Sequence, residues 1–212
     1  MRVRGVVFDL DGTLIDGYRG IASALNAARS AFGLPVLPLD EVRARVGRGL
    51  PQLMIDLVGE GRAADGVEIF RRVYDRICEE ETRLMPDVEL TLLSLKERGL
   101  RMSVASNKPA SYSNRILDHL DISDLFDAVE GPDTAGTAKP DPSMIRACVA
   151  AMRIQVEEAV YVGDMTLDAE AGARAGVPVI LVAGGSSSAA LLQATGCPVL
   201  PALKDLLLRF PS

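Results

Sequence analysis

Acidic side chains cluster directly after the first apolar run of this chain. The hexapeptide Asp9-Leu10-Asp11-Gly12-Thr13-Leu14 follows the run Val3 to Phe8 and places one apolar residue between two carboxylates. An Asp-Gly turn would by itself explain this pattern. A calcium loop of the EF-hand type would need glycine at its sixth position, whereas Gly12 is fourth. The hexapeptide therefore favours a catalytic pair of carboxylates.

Three further polar groups take similar positions later in the chain. Ser106-Asn107 follows the apolar run Met102 to Ala105, and Gly163-Asp164-Met165-Thr166-Leu167-Asp168 follows the run Ala159 to Val162. Lys139-Pro140 precedes a helical segment. In an open α/β sheet, ligands bind outside the carboxyl ends of the strands. We therefore expect these side chains to meet at that edge.

The elements that position these groups follow from the apolar pattern. Continuous runs rich in β-branched residues indicate strands buried on both faces, as in a parallel sheet flanked by helices. Four such runs occur, at Val3 to Phe8, Met102 to Ala105, Ala159 to Val162 and Val177 to Val182. Helical segments separate them, at Val88 to Arg98, Ser143 to Met152 and Leu167 to Ala175. The pattern predicts an α/β fold with a doubly wound, Rossmann-like parallel sheet.

Nearly the whole segment between the first two runs has a helical pattern. Its predicted helices are Ile21 to Ala31, Val42 to Val46, Leu50 to Val58 and Val67 to Glu80. One crossover helix needs far fewer residues, so we expect an inserted domain. Residues 15–85 are predicted to form a small, all-helical cap domain, and residues 1–14 and 86–212 to form the α/β core.

Composition and charge narrow the class of protein. Of 212 residues, 48% are hydrophobic and 25% charged, which is typical of folded domains. The formal net charge of -6 argues against nucleic acid and anionic membranes as partners, because both require a basic surface. The sequence has no apolar run of about 18 residues and no signal peptide at its N-terminus. We expect a cytoplasmic protein with reduced cysteines.

The four motifs, in this order and spacing, resemble those of the haloacid dehalogenase superfamily, and within it the phosphoglycolate-phosphatase-like branch with a helical cap. The resemblance extends over nearly the whole chain and includes Leu125-Phe126-Asp127 and the segment 168–176. It implies a phosphatase that hydrolyses a small-metabolite phosphate monoester through an aspartyl-phosphate. Phosphoglycolate is the first candidate substrate.

The resemblance gives the two carboxylates of the hexapeptide different roles. Asp9 would be the nucleophile, since a carboxylate with a pKa of about 4 is already ionised at neutral pH. Asp11 would protonate the leaving alcohol and later deprotonate water, because a like-charged neighbour raises the pKa of one member of such a pair. Dehalogenases of this superfamily lack an Asp at that position, so dehalogenation is excluded.

A divalent cation is expected because the phosphate dianion would otherwise meet several carboxylates. Oxygen ligands and few carboxylates favour Mg²⁺. By resemblance, the ion binds the carboxylates of Asp9 and Asp164 and the backbone carbonyl of Asp11. Asp168 is expected in the first turn of a helix, where the helix dipole favours an anion. It would hold the metal ligands in position without binding the ion itself.

The transferring phosphoryl group would be bound by donors from several motifs. Hydrogen bonds and a compact positive charge stabilise its oxygens, and the residues assigned to this task are Gly12, Thr13, Ser106, Asn107 and Lys139. Lys108 is expected to be an exposed loop lysine. Gly184-Gly185-Ser186 is expected to be a plain turn.

Substrate choice is expected to lie in the inserted residues, because the core motifs account only for the phosphoryl group and the metal. Candidate contacts are Tyr18, Arg19, Arg43 and the turn Gly47-Arg48-Gly49, with Arg48 as our choice for a substrate carboxylate. The segment Asp16-Gly17-Tyr18-Arg19 departs from the family pattern, in which Asp-Ser is followed by Pro.

Other functions of the same fold stay open. They are a sugar-phosphate or nucleotide phosphatase, a pyrophosphatase, a phosphomutase and a non-catalytic binding module. The expected partner is a small phosphorylated metabolite, with no nucleic acid and no membrane, and the expected assembly is a monomer or homodimer.

Overall fold

The structure, a computed structural model, describes residues 3–210. The strands are β1 (Gly5–Phe8), β2 (Ile15–Asp16), β3 (Arg83–Leu84), β4 (Arg101–Ala105), β5 (Val129–Glu130), β6 (Ala159–Gly163), β7 (Val179–Val182) and β8 (Val199–Leu200). The α-helices are α1 (Tyr18–Ala31), α2 (Leu39–Arg43), α3 (Leu50–Val58), α4 (Ala63–Ile77), α5 (Val88–Glu97), α6 (Ala110–His119), α7 (Pro132–Ala135), α8 (Ser143–Ala151), α9 (Thr166–Ala175) and α10 (Ala189–Ala194). Short 3₁₀ helices lie at Glu60–Arg62, Ser123–Leu125, Val156–Glu158 and Leu203–Leu208.

Six strands form one parallel sheet in the order β5-β4-β1-β6-β7-β8. Successive side chains of a strand point to opposite faces, and both faces are covered. Val6 and Phe8 belong to one buried apolar cluster, whereas Val7 belongs to a second. The predicted α/β fold with a doubly wound parallel sheet is confirmed. The two-residue edge strands β5 and β8 were too short to be predicted from their pattern.

Strand β1 lies at the centre of the polar motifs. It pairs with β4 on one side and with β6 on the other. Asp9, Ser106 and Asp164 each follow the last residue of one of these three strands. Their backbones are held in register, since the amide of Asp9 donates to the carbonyl of Val162 at 2.8 Å.

Residues 15–85 begin and end on a short antiparallel strand pair. Ile15 pairs with Leu84 and Asp16 with Arg83, and helices α1 to α4 lie between the two strands. The pattern of the sequence predicts only helices here, because two-residue strands show no periodicity. The division into core and cap stays a prediction.

Within the helical segment, α1 packs against α4 and α3. The buried Arg29 of α1 joins α1 to its surroundings, donating to the carbonyl of Pro35 in the following loop at 2.9 Å and to that of Leu57 in α3. One apolar cluster extends from these helices into the sheet, so the two parts share a core. Among residues 3–210, no helix has the length and apolar character needed to cross a membrane.

Helix α5 offers a matched test of its orientation. Leu92 is 0% exposed and Leu90 is 60% exposed. Leu92→Ala should lower the free energy of unfolding by about 2 to 5 kcal/mol, because it leaves a cavity in the core. Leu90→Ala should change it by less than about 0.5 kcal/mol. Urea unfolding of both variants checks this, and equal losses would contradict the packing described for α5.

Candidate active site

Lys139 bridges two buried carboxylates. Its Nζ lies 2.6 Å from Asp9 Oδ1 and 2.8 Å from Asp168 Oδ1, and it donates to the hydroxyl of Tyr161 at 3.0 Å. Burial alone would lower the pKa of Lys139, but the charges of Asp168 and Asp9 raise it above its ordinary value. The lysine therefore stays a cation and holds Asp9 in one orientation at the end of β1.

Asp168 uses both of its oxygens to organise neighbouring groups. Oδ1 accepts from Lys139 and from the hydroxyl of Tyr161 at 3.0 Å. Oδ2 accepts from the backbone amides of Asp164 at 3.1 Å and Met165 at 2.9 Å. Both oxygens of Asp168 are therefore directed at protein groups. Asp168 can orient Lys139 and the loop that carries Asp164.

Asp164 is fixed by two donors from opposite sides. Thr13 Oγ1 donates to Oδ1 at 3.0 Å and the amide of Ser186 donates to Oδ2 at 2.5 Å. A Cβ at Gly185 would lie 2.0 Å from Oδ2, so this close approach requires glycine. The sequence assigns Thr13 to the phosphoryl group and a plain turn to residues 184–186. In the structure Thr13 and the amide of Ser186 both contact Asp164, and the assignment of Thr13 to the phosphoryl group stays a prediction.

Asp9, Asp164 and Asp168 form a buried acidic cluster, with one oxygen of each within 4.8 Å of the other two. Burial raises the pKa of Asp9 to about 6, with Lys139 opposing and Asp168 adding to this effect. Burial and the charge of Asp9 raise the pKa of Asp164 well above its ordinary value. The residues present therefore fit a bound cation, because the cluster lacks enough positive charge to keep every carboxylate ionised.

Asp11 forms a second ion pair with Lys108. Their side chains meet at 3.0 Å, and Lys108 Nζ also donates to the hydroxyl of Tyr74 in α4 at 2.9 Å. Burial would lower the pKa of Lys108, but Asp11 and Tyr74 raise it above its ordinary value. The expectation of an exposed loop lysine is wrong, since Lys108 is buried. Its two partners are distant in sequence, so its own local pattern did not reveal them.

The second oxygen of Asp11 has a different environment. Oδ1 is buried and has no hydrogen-bond partner among the described residues. A Cβ at Gly17 would lie 3.2 Å from it. Glycine at position 17, where the sequence departs from the family pattern, avoids this tight contact with the oxygen. Asp11 can exchange a proton with a bound group through Oδ1.

Asn107 joins three segments of the site. Its Nδ2 donates to the carbonyl of Gly47 at 2.8 Å, and its Oδ1 accepts from the amide of Lys139 at 2.7 Å. Ser106 Oγ accepts from the amide of Lys108 at 3.3 Å, which leaves its hydroxyl proton available. Asn107 is committed to positioning here, whereas Ser106 can donate to a phosphoryl oxygen.

A cavity opens beside Asp9 and Asp11, between the sheet edge and the helical segment. Its lining includes Ser106, Asn107, Lys108, Pro109, Tyr112, Lys139 and Met165 from the core, and Ile21, Val46, Gly47, Gly49, Leu50, Leu53, Phe70 and Tyr74 from residues 15–85. Gly12 and Thr13 do not line this cavity, although both lie next to Asp164.

Arg48 and Arg19 are exposed and do not line the cavity. Tyr18 is buried and its hydroxyl lies 2.8 Å from Ser186 Oγ. The guanidinium of Arg43 lies over the Tyr18 ring, 4.6 Å from its centroid, and 3.5 Å from Asp16. The two tyrosines that contact Lys139 and Lys108, Tyr161 and Tyr74, had no motif of their own and were not found from the sequence.

Comparison with known proteins gives a consistent result. A family model described as "Haloacid dehalogenase-like hydrolase" matches residues 6–182. The "Phosphoglycolate phosphatase" of Aquifex aeolicus (strain VF5) is 36% identical over 183 residues, which cover 86% of each chain. The protein of the same name from Caulobacter vibrioides is 38% identical over 191 residues, covering 85% of this chain and 79% of that one.

Among solved structures, the fold is similar to that of a "predicted phosphatase from Clostridium acetobutylicum". The two align with a TM-score of 0.90 and 26% identity, over 99% of this chain and 98% of the other.

The excess negative charge of the cluster predicts that the folded protein is less stable when Asp9 is ionised than when Asp9 is neutral. Its pKa of about 6 in the folded chain exceeds its ordinary value of 3.8. The metal-free protein should therefore lose stability as the pH rises through this interval. Asp9→Asn should fold and should be more stable than the unsubstituted chain by roughly 1 to 3 kcal/mol at pH 7, with no gain near pH 4.

Chemical unfolding in chelator at several pH values measures this difference. Asp118→Asn, at an exposed position of α6, is the matched control and should show no such trend. A constant difference between pH 4 and pH 7 would contradict the electrostatic origin.

Proposed function

Because this chain belongs to the haloacid dehalogenase-like hydrolase family and is a phosphoric monoester hydrolase, we propose that it hydrolyses a small-metabolite phosphate monoester through an aspartyl-phosphate on Asp9, with phosphoglycolate as the first candidate. One observation carries the proposal. Asp9 is held by Lys139 at the end of β1, and Asp11, two residues on, has a buried oxygen without a hydrogen-bond partner among residues 3–210.

Asp9 supplies the nucleophile. One of its oxygens attacks the phosphorus, the new P–O bond forms as the bond to the leaving alcohol breaks, and an aspartyl-phosphate results. Lys139 stabilises the negative charge on the transferring group from a short distance. Water then attacks the phosphorus, which releases inorganic phosphate and regenerates the Asp9 carboxylate.

Asp11 moves the protons of both steps. In its acid form, it gives a proton to the leaving alcohol, and as the carboxylate that remains, it takes a proton from the attacking water. Oδ1 suits this role because none of the residues that the structure describes donates a hydrogen bond to it. Lys108 holds the other oxygen and keeps the side chain in one orientation.

The charge count of the site supports a divalent cation. Four carboxylates, those of Asp9, Asp11, Asp164 and Asp168, face two lysines, so two negative charges remain when all are ionised. We propose that Mg²⁺ binds the carboxylates of Asp9 and Asp164 and the backbone carbonyl of Asp11, while Asp168 stays with Lys139. When bound, the ion would neutralise and orient the phosphoryl oxygens.

Residues 15–85 are proposed to act as a cap over the cavity. Tyr112 of α6 donates to Asp75 of α4 at 2.8 Å, and Arg115 donates to Glu79 at 2.8 Å. These contacts and the bond from Asn107 to Gly47 hold the helical segment against the sheet edge. Closure would keep bulk water from Asp9 during the first step. A cytoplasmic location and a monomer or homodimer remain predictions.

Turnover should depend on the charge of Asp9. Asp9→Asn keeps the size of the side chain but removes the anionic nucleophile, so kcat should fall by roughly 10³-fold or more. Phosphate release from a panel of phosphate monoesters, including phosphoglycolate, sugar phosphates, nucleotides and pyrophosphate, measures the loss and identifies the preferred substrate. Asp118→Asn should keep full activity. An Asp9→Asn variant within about tenfold of the unsubstituted enzyme would exclude the aspartyl-phosphate route.

Magnesium dependence provides a separate test. Chelator should abolish activity, and Ca²⁺ should inhibit because its larger, looser coordination misplaces the phosphoryl oxygens. Mg²⁺ should raise the melting temperature of the unsubstituted protein, since a ligand of the folded state stabilises it, but not that of Asp164→Ala. Asp118→Ala should respond like the unsubstituted chain. Full activity in chelator would show that no metal is required.

A further inference from the structure

The helical side of the cavity carries no charged side chain. Its described lining residues from the segment 15–85 are Ile21, Val46, Gly47, Gly49, Leu50, Leu53, Phe70 and Tyr74. The arginines that the sequence suggested as substrate contacts in this segment, Arg19, Arg43 and Arg48, do not line the cavity. A negatively charged leaving group would therefore find its positive partner on the core side.

Two lysines line the cavity on that side, and they differ in how many of their N–H donors are already used. Lys139 is engaged by Asp9, Asp168 and Tyr161, which accounts for the three donors of an ammonium group. Lys108 has two partners among the described residues, Asp11 and Tyr74. One of its N–H donors therefore has no acceptor in the part of the chain that the structure describes, although the side chain is buried.

Tyr74 adds a second donor beside Lys108. Because its oxygen accepts from Lys108, its own hydroxyl proton is free to donate. Burial raises the pKa of Tyr74 against the opposing charge of Lys108, so the proton stays on the oxygen. The tyrosine comes from α4 of the helical segment and the lysine from the loop after β4, so the pair forms only when the two parts are together.

We propose that Lys108 and Tyr74 together bind a carboxylate on the leaving group of the substrate. This inference rests on the phosphatase function proposed above and makes the substrate class an acidic phosphate monoester. The two donors can each take one carboxylate oxygen, and a charge-assisted hydrogen bond is about twice as strong as a neutral one. The apolar wall around them strengthens this interaction, because it lowers the local dielectric.

A pair of substrates isolates the carboxylate. Phosphoglycolate and ethyl phosphate have leaving groups of similar size, and only the first carries the anion. The ratio of kcat/KM for phosphoglycolate to kcat/KM for ethyl phosphate is the readout, since a change in the handling of the phosphoryl group or of Asp11 affects both substrates. The unsubstituted enzyme should prefer phosphoglycolate.

Lys108→Met should lower this ratio by roughly ten- to a hundredfold, mainly through a higher KM for phosphoglycolate. Tyr74→Phe should lower it by roughly two- to tenfold, because it removes one hydrogen bond. Lys108→Arg should restore part of the ratio. In the Asp9→Asn background, calorimetry with phosphoglycolate should show the same order of affinities without turnover.

Two control variants complete the design. Lys96→Met makes the same change at a lysine of α5 outside the cavity and should alter neither rate. Arg48→Ala tests the competing candidate. The proposal would be overturned if Arg48→Ala lowered the ratio and Lys108→Met left it unchanged. An equal loss on both substrates for Lys108→Met would also overturn it, because Lys108 would then act only through Asp11.

The result for the unsubstituted enzyme distinguishes failure of the proposed phosphatase function from failure of the proposed carboxylate site. Hydrolysis of neither substrate in Mg²⁺ would contradict the proposed function itself. Hydrolysis of both with equal kcat/KM would leave the phosphatase function intact and contradict recognition of the carboxylate. Melting temperatures of all variants show whether a loss comes from unfolding.

Discussion

Lys139 Nζ contacts Asp9 and Asp168 inside the protein, where neither the ammonium group nor the carboxylates can rely on water for stabilisation. The ionised form of each group is stabilised by the opposite charge of its partners. Asp168 in turn accepts from the amides of Asp164 and Met165, so the same contact that holds the nucleophile also sets the loop after β6. The geometry at the ends of two neighbouring strands thus depends on one cation.

This arrangement carries more negative than positive charge, which an enzyme of this kind needs but a stable fold does not. The raised pKa values of Asp9 and Asp164 show that the folded state disfavours the ionised form of both carboxylates. Close packing maintains the arrangement, because the backbone at Gly185 approaches the carboxylate of Asp164 so closely that no larger residue fits.

The sequence predicted those parts that short-range patterns encode. Continuous apolar runs indicated the central strands, and the polar residues after them indicated the edge of the sheet where Asp9, Ser106 and Asp164 lie. Partners that are distant in sequence escaped prediction. Lys108 looked like a loop lysine because Asp11 and Tyr74, which bury it, lie 97 and 34 positions earlier. Arg48 is exposed and does not line the cavity, which the sequence could not show, because the flanking glycines do not indicate which side of the turn faces solvent.

The central position of β1 also matters while the chain is being synthesised, because both of its partner strands lie much later in the sequence. Its partners β4 and β6 begin at Arg101 and Ala159, so a ribosome exposes Val6, Val7 and Phe8 long before the sheet can receive them. The helices of residues 15–85 make contacts among themselves and close on the β2–β3 pair, and such local contacts form quickly. When residue 85 has been made, neither β4 nor β6 exists, so β1 has no partner strand at that stage. At that stage the chain contains Asp9 but not Lys139, and an unpaired apolar strand is a surface on which incomplete chains aggregate.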